Sequence, residues 1–277
     1  MILIADSGST KTTWMEVGTG KTVLTEGLNP HFTSDESFLA ACSAVRQKFS
    51  IPNSQFSIFF YGAGCGNTTQ RERVAIMLAK AYGTNDIHVE TDMLGACRAV
   101  CGHEAGLVGI LGTGSNACYY DGRDITLQAV STGYILGDHG SANHVGRRML
   151  QDYLARKMPR NLISKFHEAY PLTKDEFMGA VYHQPNANRF LASLAKFAVE
   201  HIADDYCSSE ILVSLYEWYS YQLEDLQKLS HCDRLSLVGG FAAHIRPLLD
   251  IVAKDKGLEI ISVAADPIDG LRSFHRS

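Results

Sequence analysis

The sequence has few prolines, no long apolar segment and no cluster of basic residues. Seven prolines in 277 residues, with 45% hydrophobic and 20% charged residues, describe an ordered chain and exclude a fibrous or low-complexity one. No stretch approaches the roughly 20 apolar residues that a membrane-spanning helix needs. A net charge of -5 without a basic run argues against nucleic-acid binding. We therefore expect neither a nucleic-acid nor a membrane partner.

Paired cysteines and a leader sequence are also lacking. The 7 cysteines are odd in number and never form a CxxC pair, which favours reduced thiols over a disulfide framework. Residues 1–6 carry no basic residue and their apolar run ends at an aspartate, so they do not resemble a signal peptide. These features predict a cytoplasmic location. A length of 277 residues favours two domains.

One pattern of strands and glycine turns occurs twice in the sequence. Three strands are predicted in each copy, at residues 2–5, 13–17 and 22–25 and again at 106–111, 117–120 and 125–130. In each copy a turn rich in glycine, serine and threonine joins the first two strands, at residues 6–12 and 112–116. A repeat of this kind predicts two lobes of similar design.

The rest of the chain alternates helices and strands at first and becomes mainly helical after Gly133. Helices are predicted at residues 34–49, 69–82, 94–100, 141–157, 174–182, 188–203, 209–229, 243–253 and 267–275. Further strands are predicted at residues 56–61, 87–90, 235–238 and 260–263. We expect an α/β protein with an N-terminal lobe at residues 1–105 and a C-terminal lobe at 106–277 that carries a helical insertion. The last helix is a candidate to pack on the N-terminal lobe.

The two polar turns have the composition of phosphate-binding loops. Backbone N–H groups and hydroxyls in such turns converge on one point, and glycines at Gly8, Gly112 and Gly114 let the backbone approach a phosphate closely. Asp6 ends the first strand and is placed to hold Mg²⁺ or its water, since this cation prefers carboxylate oxygen. Lys11 adds a positive charge for phosphate oxygens. Either turn alone is typical of an ordinary hairpin, but the two together predict a nucleotide site.

Three further positions bear on such a site. Gly239-Gly240 follows a predicted strand, and its bare backbone suits a flat adenine, although the pair is also common before ordinary helices. Asp92 lies where a strand meets a helix, and a carboxylate there can accept the proton of a hydroxyl that attacks a phosphate. Aspartate is equally favoured as a helix N-cap, so both roles stay open for Asp92. Asp138 is a second candidate cap, for the helix at 141–157.

These motifs together resemble the sugar kinase, Hsp70 and actin superfamily, within it the BadF/BadG/BcrA/BcrD ATPase family, and most closely its N-acetylglucosamine kinases. The resemblance spans the whole chain and is carried by residues 6–12, 27–31, 91–92, 111–116, 133–141 and 237–240. It implies two ribonuclease H-like lobes of the actin and hexokinase type, with ATP in the cleft between them.

The resemblance also implies cofactors, a substrate and site residues. ATP and Mg²⁺ would be the cofactors, with Asp6 at the metal. The substrate would be an amino sugar, and N-acetylglucosamine, phosphorylated at its 6-hydroxyl, is the one that the resemblance favours. The residues implied for ATP are Gly8, Ser9, Thr10, Lys11, Gly112, Thr113, Gly114, Ser115, Gly239, Gly240 and His244. The residues implied at the sugar are Asn29, Asp92, Gly133 and Asp138, with Asp92 as the catalytic base. A homodimer is the expected assembly.

The sequence departs from the family pattern at several positions. Ser7 and Ser9 stand where the family has glycines, and we expect them to add hydrogen-bond donors to the first turn. His139 replaces a glutamate and Ser131-Thr132 replaces Gly-Trp, both near the expected sugar. The identity of the sugar is therefore the least determined feature, with glucosamine, N-acetylmuramic acid and N-acetylmannosamine as the other candidates.

Two other functions remain open at this point. Some members of the ATPase family activate radical enzymes and hold an iron–sulfur cluster between subunits through cysteines. Cys97 and Cys101 are the only close cysteine pair in the sequence, but they lie on a predicted helix that we expect to pack in a core. The third possibility is a sugar-responsive sensor that binds ATP without turnover.

Overall fold

The computed structural model describes residues 1–8, 10–49 and 56–276. The chain forms two compact units: a first unit of Met1–Glu104 with Asp266–Ser277, and a second unit of Ala105–Ala265. Ser9, which we expect in the first phosphate turn, lies outside the described residues. The C-terminal segment thus belongs by packing to the unit at the other end of the chain.

The first unit is built on a mixed five-stranded sheet. Its strands are β1 (Ile2–Ser7), β2 (Lys11–Glu16), β3 (Thr22–Glu26), β4 (Ser57–Gly62) and β5 (Ile87–Thr91), in the order β3-β2-β1-β4-β5. Its helices are α1 (Asp35–Phe49), α2 (Thr68–Tyr82), α3 (Asp92–Cys101) and the last helix of the chain, α13 (Ile268–Phe274). Strands β1, β4 and β5 are parallel, and Ser7, Gly62 and Thr91 are aligned across them. The carboxyl ends of these three strands therefore share one edge of the sheet.

Both faces of this sheet are covered, which explains the nearly continuous apolar sequence of β1 and β4. Leu3 and Ala5 pack on one face with residues of α1 and α2. Ile4 packs on the other face with Ile268 and Leu271 of α13. Because side chains alternate along a strand, Asp6 lies on the same face as Ile4.

The second unit repeats this architecture. Its strands are β6 (Gly106–Leu111), β7 (Ser115–Tyr120), β8 (Ile125–Gln128), β9 (Arg234–Val238) and β10 (Glu259–Ala264), in the order β10-β9-β6-β7-β8. In each unit three antiparallel strands open the sheet, and two later strands add in parallel beside the first of them. The repeat predicted from the sequence is confirmed as a shared topology.

The helices of the second unit form most of its core and differ in several places from the prediction. They are α4 (Gly133–Leu136), α5 (Ala142–Leu154), α6 (Arg160–Ala169), α7 (Lys174–Tyr182), α8 (Ala187–Glu200), α9 (Asp205–Trp218), α10 (Glu224–Ser230), α11 (Gly240–His244) and α12 (Arg246–Asp255). Helices α4 and α6 were not predicted, although Leu162 and Phe166 of α6 are buried at helical spacing. The predicted helix at 209–229 is confirmed as helical throughout, but a π-helical turn, Tyr219–Leu223, lies between α9 and α10 and was not predicted. None of the helices in the described part of the chain is long and apolar enough to cross a bilayer.

Candidate active site

Three carboxylates lie around the carboxyl edge of the first sheet. Asp6 is near the end of β1, Asp92 is the first residue of α3, and Asp266 precedes α13. Burial raises the pKa of Asp6 from 3.8 to about 7, with further increases from the charges of Asp266 and Asp92 and a decrease from Lys11. Burial is the main cause of this increase, and the charges of the two neighbouring carboxylates add to it. The donor set therefore fits Mg²⁺, a hard cation that prefers carboxylate oxygen.

The first glycine turn, residues 6–12, places the positive charge of Lys11 beside Asp266. Lys11 Nζ lies 2.6 Å from Asp266 Oδ2, and Asp266 Oδ1 accepts a hydrogen bond of 3.1 Å from the N–H of Ile268 at the start of α13. The N–H of Gly8 donates to the Lys11 carbonyl across the turn at 3.0 Å, so that N–H is not available to an anion. Thr10 is exposed at the tip. Asp266 had not been identified from the sequence, although it is an acidic residue that closely follows the last strand, β10.

Ser7 does not contribute a donor to the turn, contrary to expectation. Its side chain is fully buried, and its hydroxyl lies 2.8 Å from that of Thr12. Both hydroxyl oxygens accept from the N–H of Leu28, at 3.0 and 3.2 Å. Serine in place of glycine at this position therefore anchors the segment that carries Asn29.

Asn29 is buried beside the loop that follows β4. Its Oδ1 accepts a hydrogen bond of 2.9 Å from the N–H of His31 and faces Gly64. In the described part of the chain no acceptor is found for its Nδ2, which leaves that amide free to donate to a ligand. Cys65, in the same loop, is close enough to Asp92 for the aspartate's charge to add to the effect of burial, and together they raise the pKa of the Cys65 thiol to about 12. Asn29 and Asp92 thus flank one loop of the first unit.

Asp92 is not the N-cap of α3. The hydroxyl of Thr91 accepts the capping hydrogen bond from the N–H of Leu94 at 3.1 Å. The Asp92 carboxylate accepts a local bond of 2.9 Å from the N–H of Met93, and burial raises its pKa above the ordinary value. Because Thr91 provides the cap, the carboxylate of Asp92 remains available for another role.

The second glycine turn, residues 112–116, is hydrogen-bonded to the N-terminus of α5. The N–H groups of Ala142 and Asn143 donate to the carbonyls of Gly112 and Thr113, at 2.9 and 3.1 Å. The N–H of Gly112 donates to the Gly114 carbonyl at 3.0 Å. Among the described residues no acceptor is found for the N–H groups of Thr113 and Gly114. Free amides in a rigid turn are suited to an anion.

Asp138 does not cap α5 either, because Ser141 accepts the capping bond from the N–H of His144. Asp138 has a φ of 54° and directs its carboxylate to the second turn. Its Oδ2 accepts a hydrogen bond of 2.8 Å from Asn143 Nδ2. The same carboxylate occupies the space that a side chain on Gly114 would need. Asp138 therefore lies beside the second turn, in the unit that does not contain Asn29 and Asp92.

Ser115 and Gln222 show why the π-helical turn matters. The Ser115 hydroxyl is buried, donates to the His139 carbonyl at 2.7 Å and accepts from Gln222 Nε2 at 3.1 Å. Its hydroxyl is thus used inside the unit, and Gln222 fixes the end of the second turn. Sequence reasoning missed Gln222, since hydrophobic periodicity does not show where a helix widens to place a polar side chain inward.

Gly239 and Gly240 lie directly beside the second turn. Gly239 has a φ of 134°, which only glycine adopts readily, and a side chain there would collide with the Leu111 carbonyl. The N–H of Gly239 donates a hydrogen bond of 2.8 Å to the Ala264 carbonyl. Gly240 and His244 are exposed, and His244 Nδ1 lies 2.5 Å from the Gly240 carbonyl. An exposed, flat stretch of backbone therefore adjoins the free amides of the turn.

Two histidines follow Asp138 in this unit. Burial, with contributions from Arg147 and neighbouring groups, lowers the pKa of His144 to about 3. Burial likewise lowers the pKa of His139. Gly133 is exposed at the start of α4, a helix that Arg147 holds through the carbonyls of Tyr134 and Ile135.

Comparisons with solved structures identify proteins of the same fold. A Porphyromonas gingivalis protein described as a candidate N-acetylglucosamine kinase is 35% identical, with a TM-score of 0.92 over 99% of this chain and 98% of that one. A Chromobacterium violaceum protein described in the same way is 18% identical, with a TM-score of 0.74 over 99% and 98%. A ROK family glucokinase from Streptomyces griseus, in complex with glucose and AMPPNP, is 15% identical, with a TM-score of 0.62 over 99% and 97%.

The predicted fold class, two lobes of the actin and hexokinase type, is confirmed by these likenesses and by the two related sheets. Neither the protein-family models nor the curated proteins give a match. Membership of the BadF/BadG/BcrA/BcrD family therefore stays a prediction.

Proposed function

Since the chain belongs to the family of sugar-kinase-fold proteins that includes the Porphyromonas gingivalis protein, we propose that it is an ATP-dependent kinase of an amino sugar. N-acetylglucosamine is the proposed acceptor, with its 6-hydroxyl as the attacking group. The name of the relative supports this choice of sugar. The proposal includes a cytoplasmic homodimer as the working form, which light scattering on the purified protein tests, and a monomer would contradict it.

One observation carries the catalytic part of the proposal. Two carboxylates of the first unit, Asp6 and Asp92, interact electrostatically at one sheet edge, and neither is used as a helix cap. Bound Mg²⁺ would neutralise phosphate charge, and Asp6 is the residue that would hold it, directly or through water. Asp92 would orient the sugar hydroxyl and accept its proton as the bond to phosphorus forms. Its raised pKa makes it a better base than an exposed carboxylate.

The remaining site residues have positioning roles in this proposal. In the first unit, Asn29 Nδ2 would donate to the sugar, and Gly8, Thr10 and Lys11 would face the phosphates. In the second unit, the amides of Thr113 and Gly114 would bind phosphate oxygens. Gly239, Gly240 and His244 would border the adenosine. Asp138 would hold the second turn in place, with Gly133 nearby at the start of α4.

The proposal is tested by Asp92→Asn. This variant keeps the shape and the Met93 bond but cannot accept a proton, so kcat should fall by about 10² or more. Affinity for a non-hydrolysable ATP analogue, measured by titration calorimetry, should stay close to that of the unmodified protein. Glu90→Gln is the matched control, because it removes a carboxylate two positions away on β5 and should leave kcat nearly unchanged.

Near-normal turnover by Asp92→Asn would refute the base assignment. ATP hydrolysis that is independent of sugar would instead favour an ATPase activator, and ATP binding with no turnover would favour a sensor. Cys97 is fully buried within α3, which offers no support for a cluster shared between subunits.

A further inference from the structure

We propose that His139, His144 and Glu217 form a binding site for a divalent transition metal, and that zinc is the ion their chemistry fits best. One ligand atom from each side chain lies within 4.8 Å of the other two, and no other trio of histidine, cysteine or acidic residues in the described part of the chain meets this condition. All three residues belong to the second unit, whereas Asp6, the residue proposed for Mg²⁺, belongs to the first unit. The site of the trio does not depend on the proposed kinase activity.

Three separate elements bring these side chains together. His139 lies in the segment between α4 and α5, His144 in the first turn of α5, and Glu217 at the end of α9. The ring of Tyr221, in the π-helical turn after α9, stacks on His139 with centroids 4.3 Å apart and planes 10° from parallel. Trp218 packs directly on Gly140, where no larger residue would fit. The widened turn thus holds the His139 segment against α9.

The distance between the first two ligand atoms suits a shared metal. His144 Nε2 and Glu217 Oε2 are 3.3 Å apart. A charge-assisted hydrogen bond would bring them to about 2.7–2.9 Å. Tetrahedral zinc with bonds of about 2.0–2.1 Å separates its ligand atoms by about 3.3–3.4 Å. His139 completes the trio by a small adjustment of a half-buried ring, for which no hydrogen-bond partner is found among the described residues.

The surroundings prepare these side chains for a cation. Ser214 Oγ lies 2.7 Å from His144 Nδ1 and also accepts from the N–H of Gly140 at 3.0 Å. A proton on Nδ1 directed to Ser214 would leave the lone pair of Nε2 towards Glu217, as a metal ligand requires. Arg148 lies 3.7 Å from Glu217 Oε1, the oxygen not used by the trio. Glu210 offsets the charge of Arg148, because Glu210 Oε2 lies 2.8 Å from Arg148 Nε.

The donor types narrow the choice of metal. Two imidazoles and one carboxylate match zinc and also ferrous iron, whereas Mg²⁺ and Ca²⁺ prefer oxygen ligands alone. The 3.3 Å between His144 Nε2 and Glu217 Oε2 favours tetrahedral zinc. Three protein ligands leave a fourth tetrahedral position for water or another ligand. Because the His139 carbonyl accepts from Ser115, a metal on His139 would also restrain the second turn.

The test is metal binding to the chelator-treated full chain, with Zn²⁺ in titration calorimetry and Co²⁺ in visible absorption spectroscopy. We expect one ion per chain, intense visible bands of tetrahedral Co²⁺, and a higher Tm with Zn²⁺. His139→Asn and Glu217→Gln should each weaken binding by at least about tenfold and abolish the Tm increase. His183→Asn, which alters an exposed histidine of the same unit, should bind like the unmodified protein.

Circular dichroism and Tm without metal verify that each variant is folded. His144 is left unaltered because it is buried in the core of the unit. Absence of binding would overturn the proposal. It would equally be overturned if folded His139→Asn and Glu217→Gln bound Zn²⁺ as tightly as the unmodified chain, since the ion would then lie elsewhere.

Discussion

Asp6 is the residue at which stability and function should conflict. Its pKa is about 7 in the folded protein, mainly through burial and then through the charges of Asp266 and Asp92, against 3.8 for an ordinary aspartate. Between pH 4 and 7, approximately, the folded state holds a proton that the unfolded chain releases. The free energy of unfolding contributed by Asp6 is therefore greatest below this window, falls as the pH rises through it and is constant above it.

Asp6→Asn removes the ionisation and keeps the shape of the side chain. At 1.36 kcal/mol per unit, the full pKa shift corresponds to about 4 kcal/mol, and we expect about 2 kcal/mol because Asp6 retains some contact with solvent. At pH 8, without nucleotide or divalent cation, the variant should thus be the more stable protein, with a Tm higher by about 3–6 °C. At pH 5 more than half of the difference should vanish, since Asp6 is then nearly uncharged in the folded protein, although it is still ionised in the unfolded chain.

The assay is thermal unfolding of both proteins from pH 5 to pH 8, followed by circular dichroism. Asp269→Asn, an exposed aspartate of α13 in the same unit, is the control and should show no such pH dependence. In the presence of Mg·ATP the order should reverse, because the variant lacks the proposed metal ligand. A variant that is no more stable at pH 8 than at pH 5, relative to the unmodified protein, would refute the reasoning.

Two further predictions concern the stability of the helices near the candidate site, one through packing and one through a helix cap. Gly146→Ala should destabilise the protein by about 1–3 kcal/mol, because its methyl group would collide with the Leu191 carbonyl where α5 meets α8. Gly179→Ala, in α7 with open space around it, is the control, and equal Tm values for the two variants would contradict this packing. Thr91→Ala should cost about 1 kcal/mol by removing the cap of α3, whereas Thr91→Ser should cost much less. Urea unfolding measures the free energy of unfolding of the two Thr91 variants. An equal loss of stability in Thr91→Ala and Thr91→Ser would show that the hydroxyl does not act as a cap.

The features that the sequence predicts best are those set by local pattern. Strand alternation and glycine turns predicted two lobes, and both sheets have the topology that this repeat implies. The two glycine turns, between β1 and β2 and between β6 and β7, were located for the same reason, since glycine and hydroxyl residues stand out against apolar strands.

The features that were missed depend on distant parts of the chain. Whether Ser7 faces a ligand or the interior is decided by Leu28, whose N–H bonds to it. The placement of Gln222 depends on a π-helical turn that helical periodicity does not show. Asp92 and Asp138 were both candidate caps, but the neighbouring hydroxyls of Thr91 and Ser141 have this role.

The central claim is that this protein transfers the γ-phosphate of ATP to an amino sugar. It is tested most directly by ³¹P NMR of reactions that contain Mg·ATP and, in turn, N-acetylglucosamine, glucosamine, N-acetylmuramic acid or N-acetylmannosamine. We predict equal amounts of ADP and N-acetylglucosamine 6-phosphate, with almost no ADP when sugar is omitted. Formation of ADP and inorganic phosphate at the same rate with and without sugar, or no sugar phosphate with any of the four, would contradict the account.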